Sequence, residues 1–176
     1  PGSVQAVEVV EQRQLRLTGS SQESEVDLGA GEPAPLAERP SLWLDALRRE
    51  DAPEGGKRDA LVATCARLAR AGEKVLVFGG DVAALRDLSA GLAGAGLEAL
   101  LYDDAPSIEA RDRLVARFRV PEGPMLLLSG ESGCEGRNFQ FSQHLVCADL
   151  PDSPLVLEQR IGRLDRLGQT RPVEIH

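Results

Sequence analysis

The sequence predicts an α/β fold built on a mostly parallel sheet. Two observations lead there. From Lys74 onward, short apolar runs alternate with amphipathic stretches of helical length. Val75–Phe78 and Met125–Leu128 are apolar throughout, as expected of strands covered on both faces by helices. Second, the helical stretches open on residues that cap: Asp81, Ser107 and Ser153. Strands alternating with helices imply right-handed crossovers, with functional loops at the carboxyl ends of the strands.

Each element follows in order. Pro1-Gly2-Ser3 reads as a cloning remnant and is set aside. Val4–Leu17 predicts one or two short strands, with near alternation at Leu15-Arg16-Leu17. Thr18–Pro40 holds Ser, Glu, Gly, Ala and Pro with almost no large apolar residue, and predicts a linker or loop. Ser41–Leu47 predicts a short helix with Trp43 as a packing anchor. Asp51–Gly56 breaks the chain. Asp59–Ala71 is an amphipathic helix with Leu61, Val62, Cys65, Leu68 and Ala69 inward. Val75–Phe78 is a central strand ending in Gly79-Gly80, and a helix runs from Asp81 through Leu92. Leu97–Tyr102 is the next strand. Ser107 caps a helix through Phe118, with Glu109 suiting its first turn. Met125–Leu128 is the third strand of this series. Gly133–Gln140 is a glycine-bearing loop with a short helix, His144–Leu150 a fourth strand, and Val173–Ile175 the start of a last one. The division is an extension over 1–56 and a main lobe over 57–176.

Composition bounds the function. A chain of 176 residues with 42% hydrophobic residues can bury a core as one domain. No run approaches the roughly eighteen apolar residues of a membrane span. No basic segment followed by an apolar one suggests a secretory signal. The net charge of −8 argues against general nucleic-acid binding, which runs on phosphate neutralisation. Contact with a nucleic acid would need a local groove, completed by another domain. Cys65, Cys134 and Cys147 have no metal spacing and fit a reducing compartment. His144 and His176 are too few and too scattered to predict a zinc site, so no metal ligand is assigned.

Three stretches carry chemistry. Glu158–Gln169 places Arg160, Arg163 and Arg166 at every third residue, with Gln159 and Gln169 around them. Leu155, Ile161, Leu164 and Leu167 form an apolar stripe at helical spacing, so the arginines are expected along the opposite side of one helix. Arginine presents a planar fork suited to phosphate oxygens, although three arginines alone are most simply a solvated face. Ser129–Gln140 follows a buried strand. Gly133 and Gly136 let the backbone approach a ligand, and Asn138 can donate and accept. Arg111 lies in a charged cluster with Asp112 and Arg113, after Tyr102-Asp-Asp104. The sequence contains no Gly-x-x-x-x-Gly-Lys-Ser/Thr phosphate loop.

Taken together, these stretches resemble the second RecA-like lobe of superfamily-two helicases. Gln159-x-x-Gly-Arg163-x-x-Arg166 is similar to helicase motif VI, and its extension to Gly168-Gln169 is the Swi/Snf form. Ser129–Gln140 resembles motif V, and Lys74–Phe78 resembles motif IV. Glu135-Gly-Arg-Asn-Phe-Gln-Phe141, His144-Leu-Val146, Asp149-Leu-Pro151, Leu157–Arg166 and Ser107-Ile-x-x-Arg-Asp112 resemble the bacterial RNA-polymerase-associated branch of that family. The likeness runs from about residue 57 to 176.

The resemblance implies a three-layer RecA-like lobe, one half of a two-lobe motor. ATP and magnesium would be held mainly by a first RecA-like lobe, which this sequence lacks. Arg163 and Arg166 would face the γ-phosphate as arginine fingers, and Gln159 would orient them or the attacking water. Arg160 is expected to pack or pair with an acid. Gly136, Asn138 and Asp149 would line the nucleotide side, and Ser129 and Arg111 the nucleic-acid backbone. The implied partners are the first lobe, double-stranded DNA and RNA polymerase, in a bacterial cytoplasm. Without a phosphate loop, the chain alone is expected to be inactive, as one part of a larger ATPase. Two other readings stand beside this one: a non-catalytic protein-interaction module, and the nucleotide-sugar lobe of a glycosyltransferase. The latter gives no reason for the motif VI pattern.

Overall fold

The computed structural model describes residues 15–18, 23–24, 56–105, 107–131, 136–151, 153–166 and 169–176. The expected helix over Ser41–Leu47, with Trp43, lies outside the described residues, as do most of Thr18–Pro40, Gly133, Cys134 and Leu167-Gly168.

One sheet runs in the order β2-β1-β7-β6-β3-β5-β4. Its strands are β1 (Leu15–Thr18), β2 (Glu23–Ser24), β3 (Val75–Phe78), β4 (Ala99–Leu101), β5 (Leu126–Ser129), β6 (His144–Cys147) and β7 (Val173–Ile175). Every neighbouring pair is parallel except β1 and β2. The helices are α1 (Lys57–Arg70), α2 (Val82–Gly94), α3 (Ile108–Arg119) and α4 (Pro154–Ile161).

The apolar runs are covered on both faces. Val75, Val77, Leu126, Leu128 and Val146 point to a cluster with Cys65 and Leu68 of α1 and Leu85, Leu88 and Leu92 of α2. Leu76, Phe78, Leu127 and Leu145 point the other way, to Val115 and Phe118 of α3 and Leu157 and Ile161 of α4. Alternate residues of a strand face opposite sides, so an all-apolar run needs a helical layer on each. The result is a three-layer α/β sandwich. Phe118, Phe139 and Phe141 add an aromatic group under α3, with ring centroids 5.4–6.2 Å apart.

The caps form as expected. Asp81 accepts from Ala83 N at 2.8 Å, Ser107 from Ala110 N at 3.2 Å and Ser153 from Leu155 N at 3.3 Å. Lys74 Nζ donates to the carbonyls of Val120, Gly123 and Pro124 at 2.7–3.1 Å. It thereby ties the turn after α3 to the start of β3.

Several expectations are corrected. The strand expected over Leu97–Tyr102 is shorter, because Tyr102–Asp104 turn into a 3-10 helix. The strand expected through Leu150 ends at Cys147, where Asp149 leaves the ladder to serve other groups. Glu23-Ser24, within the expected linker, pairs antiparallel with β1; such pairing uses backbone groups and needs no apolar side chain. The strand of the extension joins the main sheet, since β1 lies parallel to β7.

The two histidines are not scattered. The parallel pairing of β6 and β7 sets His144 opposite Glu174, and His176 follows on the same face. His144 Nδ1 lies 3.1 Å from His176 Nε2. Burial holds His144 below the usual imidazole pKa. Burial, together with His144 and Arg67, pushes His176 down to about 3.

Candidate functional site

Ser129 ends β5, and Asp149 follows β6, so these candidates lie at the carboxyl edge of the parallel strands. The expectation of three arginines along one helical face is corrected. α4 ends at Ile161, and 162–166 form a series of turns. The three arginines therefore occupy three environments. Leu155, expected inward, is 59% exposed, while Arg160 is only 2% exposed.

Arg160 is paired with acids, as expected. Its Nη2 donates to Asp149 Oδ1 at 2.9 Å and to Glu131 Oε1, and its Nη1 to the Asp149 carbonyl at 2.8 Å. Its Nε donates to Glu131 Oε1 at 3.1 Å. The guanidinium sits 5.8 Å over the Phe78 ring. Burial disfavours its charge, but the hydrogen bonds to Glu131 and Asp149 outweigh this and raise its pKa above the usual arginine value. Asp149 Oδ2 also accepts from Gly80 N at 2.6 Å. One buried cation thus ties together the loops after β3, β5 and β6 and the helix α4.

Gly79 keeps that junction tight. A Cβ there would stand 3.0 Å from Leu85 Cδ2 and 3.3 Å from Ala148 Cβ. A side chain at this position would require Leu85 or Ala148 to shift by a few tenths of an ångström.

Arg163 lies in the turn beyond α4, half-buried, and Arg166 is exposed. Arg166 Nε donates to the Gly162 carbonyl at 3.0 Å, closing its own turn. Among the described residues, the side chains of Arg163 and Gln159 have no hydrogen-bond partner, and Gln159 is exposed. The Arg163 carbonyl accepts from Phe139 N at 2.9 Å. Gln169 Nε2 donates to the Ser142 carbonyl at 3.0 Å, a second tie between the same two segments.

The glycine loop is described from Gly136 onward. Gly136 has φ of +73°, a conformation that side chains resist, so the turn requires glycine. The Asn138 amide is engaged with Gln140: Oδ1 accepts from Gln140 N at 2.9 Å, and Nδ2 donates to Gln140 Oε1 at 3.1 Å.

Ser129 and Arg111 lie nearer the β4–β5 side of the edge. Ser129 is fully buried, and its hydroxyl donates to the Gly130 carbonyl at 3.0 Å. Gly130 N donates to Asp103 Oδ2 at 2.6 Å. Arg111 stacks over the Tyr102 ring at 5.4 Å, and its buried Nε has no hydrogen-bond partner among the described residues. Asp112 forms an ion pair with Arg137.

Sequence reasoning missed Glu131, Asp103 and Arg137 as members of these clusters. Glu131 and Arg160 are 29 positions apart, and only the crossover through β6 brings them together. Asp103 stood in a conspicuous acidic pair, but its acceptor role depends on a backbone N–H of another strand's loop.

A family profile for the helicase conserved C-terminal domain matches residues 56–168, well over half of the chain. The RNA polymerase-associated protein RapA of Pseudomonas savastanoi pv. phaseolicola is 45% identical over 120 residues. That alignment covers 67% of this chain and 12% of that protein. RapA of Photobacterium profundum is 52% identical over 82 residues, 46% of this chain and 8% of that protein. The chain therefore spans a small part of the curated relatives it matches. Among solved structures, the C-terminal part of the Fun30 ATPase domain has a TM-score of 0.62 at 22% identity, covering 80% of this chain and 47% of that one. The E. coli DEAD-box protein SrmB, bound to regulator of ribonuclease activity A, has a TM-score of 0.55 at 21% identity, covering 68% of this chain and 67% of that one. At these identities the structural likeness is one of fold: a RecA-like lobe with a mostly parallel sheet. The match over residues 56–168, on the parallel sheet and arginine turns described above, shows that the chain belongs to the helicase conserved C-terminal domain family.

Proposed function

We propose that this chain is the second motor lobe of an ATP-dependent nucleic-acid translocase of the RapA type. It supplies arginine fingers to ATP and magnesium held mainly by a first RecA-like lobe. The observation that carries this reading is the contrast within one segment. Arg160 is buried and fully engaged by acids, whereas Arg163 lies just beyond the helix end with no side-chain partner among the described residues. Its backbone is nevertheless fixed by Phe139. A cation held in place but unneutralised suits a charge that arrives from outside the lobe.

ATP supplies the phosphoryl group whose charge spreads over its oxygens during transfer. Arginines placed against those oxygens accelerate such reactions by about 10³–10⁵-fold. Arg163 and Arg166 would provide that contact, and Gln159, on the last turn of α4, would orient them or the attacking water. Gly136 and Asn138 would line the nucleotide side. Asp149 would act through Arg160 and Gly80 N, because both its carboxylate oxygens are already engaged. Arg111 would border the track for double-stranded DNA, and Ser129, fully buried, would act there only by fixing the Gly130 backbone. The similarity to RNA polymerase-associated proteins supports RNA polymerase as the partner and a bacterial cytoplasm as the setting.

The test uses the complete parent protein and its ATP turnover. Arg163→Ala and Arg166→Ala are each expected to lower turnover by about 10³-fold while the thermal midpoint stays within a few degrees. Near-normal turnover in a folded variant removes that arginine from the reaction. The present chain alone is expected to show no turnover, and turnover restored by mixing with a separate first lobe would support a site shared between lobes.

A further inference from the structure

We infer that His144, Glu174 and His176 form a binding site for a divalent transition-metal ion of the zinc class. The three ligand atoms lie within 4.8 Å of one another. His144 Nδ1 is 3.1 Å from His176 Nε2 and 3.5 Å from Glu174 Oε2. Ligands about 2.0–2.1 Å from a tetrahedral ion stand roughly 3.3 Å apart, so the two separations made by His144 Nδ1 bracket the required edge.

The backbone builds the arrangement. His144 opens β6 directly opposite Glu174 in β7, and His176 lies two residues further along the same face. His176 N donates to the Leu145 carbonyl and Cys147 N to the His176 carbonyl, both at 2.8 Å. The third ligand is thereby held by the same ladder as the first two. His144 is 3% exposed, so its position is set by packing.

The surroundings match what a metal-bound imidazole needs on its other nitrogen. His144 Nε2 faces the Gln143 amide at 3.0 Å and Glu73 Oε2 at 3.8 Å. Gln143 Nε2 reaches Glu73 at 3.4 Å, and Arg171 holds the same carboxylate at 3.3 Å. An ion on His144 Nδ1 requires the ring proton on Nε2, where Glu73 and the Gln143 amide oxygen, turned toward it, accept from it. The hydrogen bond between the two histidines is replaced by two metal–nitrogen bonds, and water completes the coordination. Arg171 and Arg67 oppose a cation here, and Glu174 and Glu73 offset them. Nitrogen, nitrogen and oxygen donors favour zinc, cobalt, nickel or copper over calcium or magnesium. The site lies at the amino end of β6, and an ion there would staple β7 to β6.

The test is titration of the tag-free, chelator-treated chain with zinc chloride by calorimetry, and with cobalt(II) by visible absorption. Expected are one ion per chain and a cobalt spectrum of tetrahedral nitrogen and oxygen ligands without a thiolate charge-transfer band. Glu174→Gln and His176→Ala, both at partly exposed positions, should each weaken binding by at least about tenfold and abolish the cobalt bands. Circular dichroism verifies that the variants fold. Absence of stoichiometric binding by the wild-type chain overturns the proposal. So does equal affinity in the folded variants, or a thiolate band.

Discussion

The backbone N–H of Phe139 donates to the carbonyl of Arg163 at 2.9 Å. Through that bond the glycine loop and the arginine turn are held as one unit. Phe139 is fully buried against Phe118, so the bond is anchored in the aromatic group beneath α3. The position of Arg163 therefore depends on a hydrophobic side chain in another segment.

Phe139→Ala should destabilise the lobe by about 3–5 kcal/mol, the usual cost of truncating a buried phenylalanine. Phe139→Leu should recover most of that stability, because it leaves a smaller cavity. In the parent protein, the leucine variant should still turn over ATP more slowly than its stability predicts, since the Arg163 turn loosens. Denaturant unfolding paired with ATPase assays checks this. Full turnover in the leucine variant would show that the loop tolerates repacking without moving Arg163.

Asp149→Ala should cost about 3 kcal/mol. It leaves the buried Arg160 with one acid and deprives Gly80 N of its acceptor. Glu131→Ala should cost less, about 1–2 kcal/mol, because Asp149 still neutralises Arg160 and Glu131 is itself 43% exposed. Urea titrations of both variants decide the order. The reverse order would make Glu131 the principal partner.

Ser129→Ala and Arg111→Ala separate stimulated from basal turnover in the parent protein. Ser129 loses one hydrogen bond to Gly130, about 1 kcal/mol of stability. Both variants should reduce DNA-stimulated ATP turnover more than basal turnover. Equal loss in both conditions takes the residue off the nucleic-acid track.

Cys65 should resist alkylation in the folded chain. It is fully buried, and burial pushes its thiol up to about 12, so little thiolate exists at neutral pH. Mass spectrometry after iodoacetamide treatment should find Cys65 unmodified in buffer and modified in urea. Rapid modification in buffer would reveal local opening of α1.

The alternation of apolar runs with capped amphipathic stretches is a local property, and it was enough to determine the layered α/β class. Asp81, Ser107 and Ser153 cap where they were expected, because a cap bonds to backbone only two or three residues away. The spacing of Gln159, Gly162, Arg163 and Arg166 likewise named the segment that carries the candidate chemistry. How the three arginines are disposed was decided only by tertiary structure. Helical spacing put them on one face, but α4 stops at Ile161, and Arg160 turns inward to Glu131 and Asp149, which reach it from loops after two other strands. Likewise, 32 positions of chain hid the meeting of His144 and His176 until β6 and β7 paired in parallel. Periodicity and capping act within a few residues, so a single sequence displays them. Charge pairing and ligand geometry act through space, and the sheet's register decides which distant residues can meet.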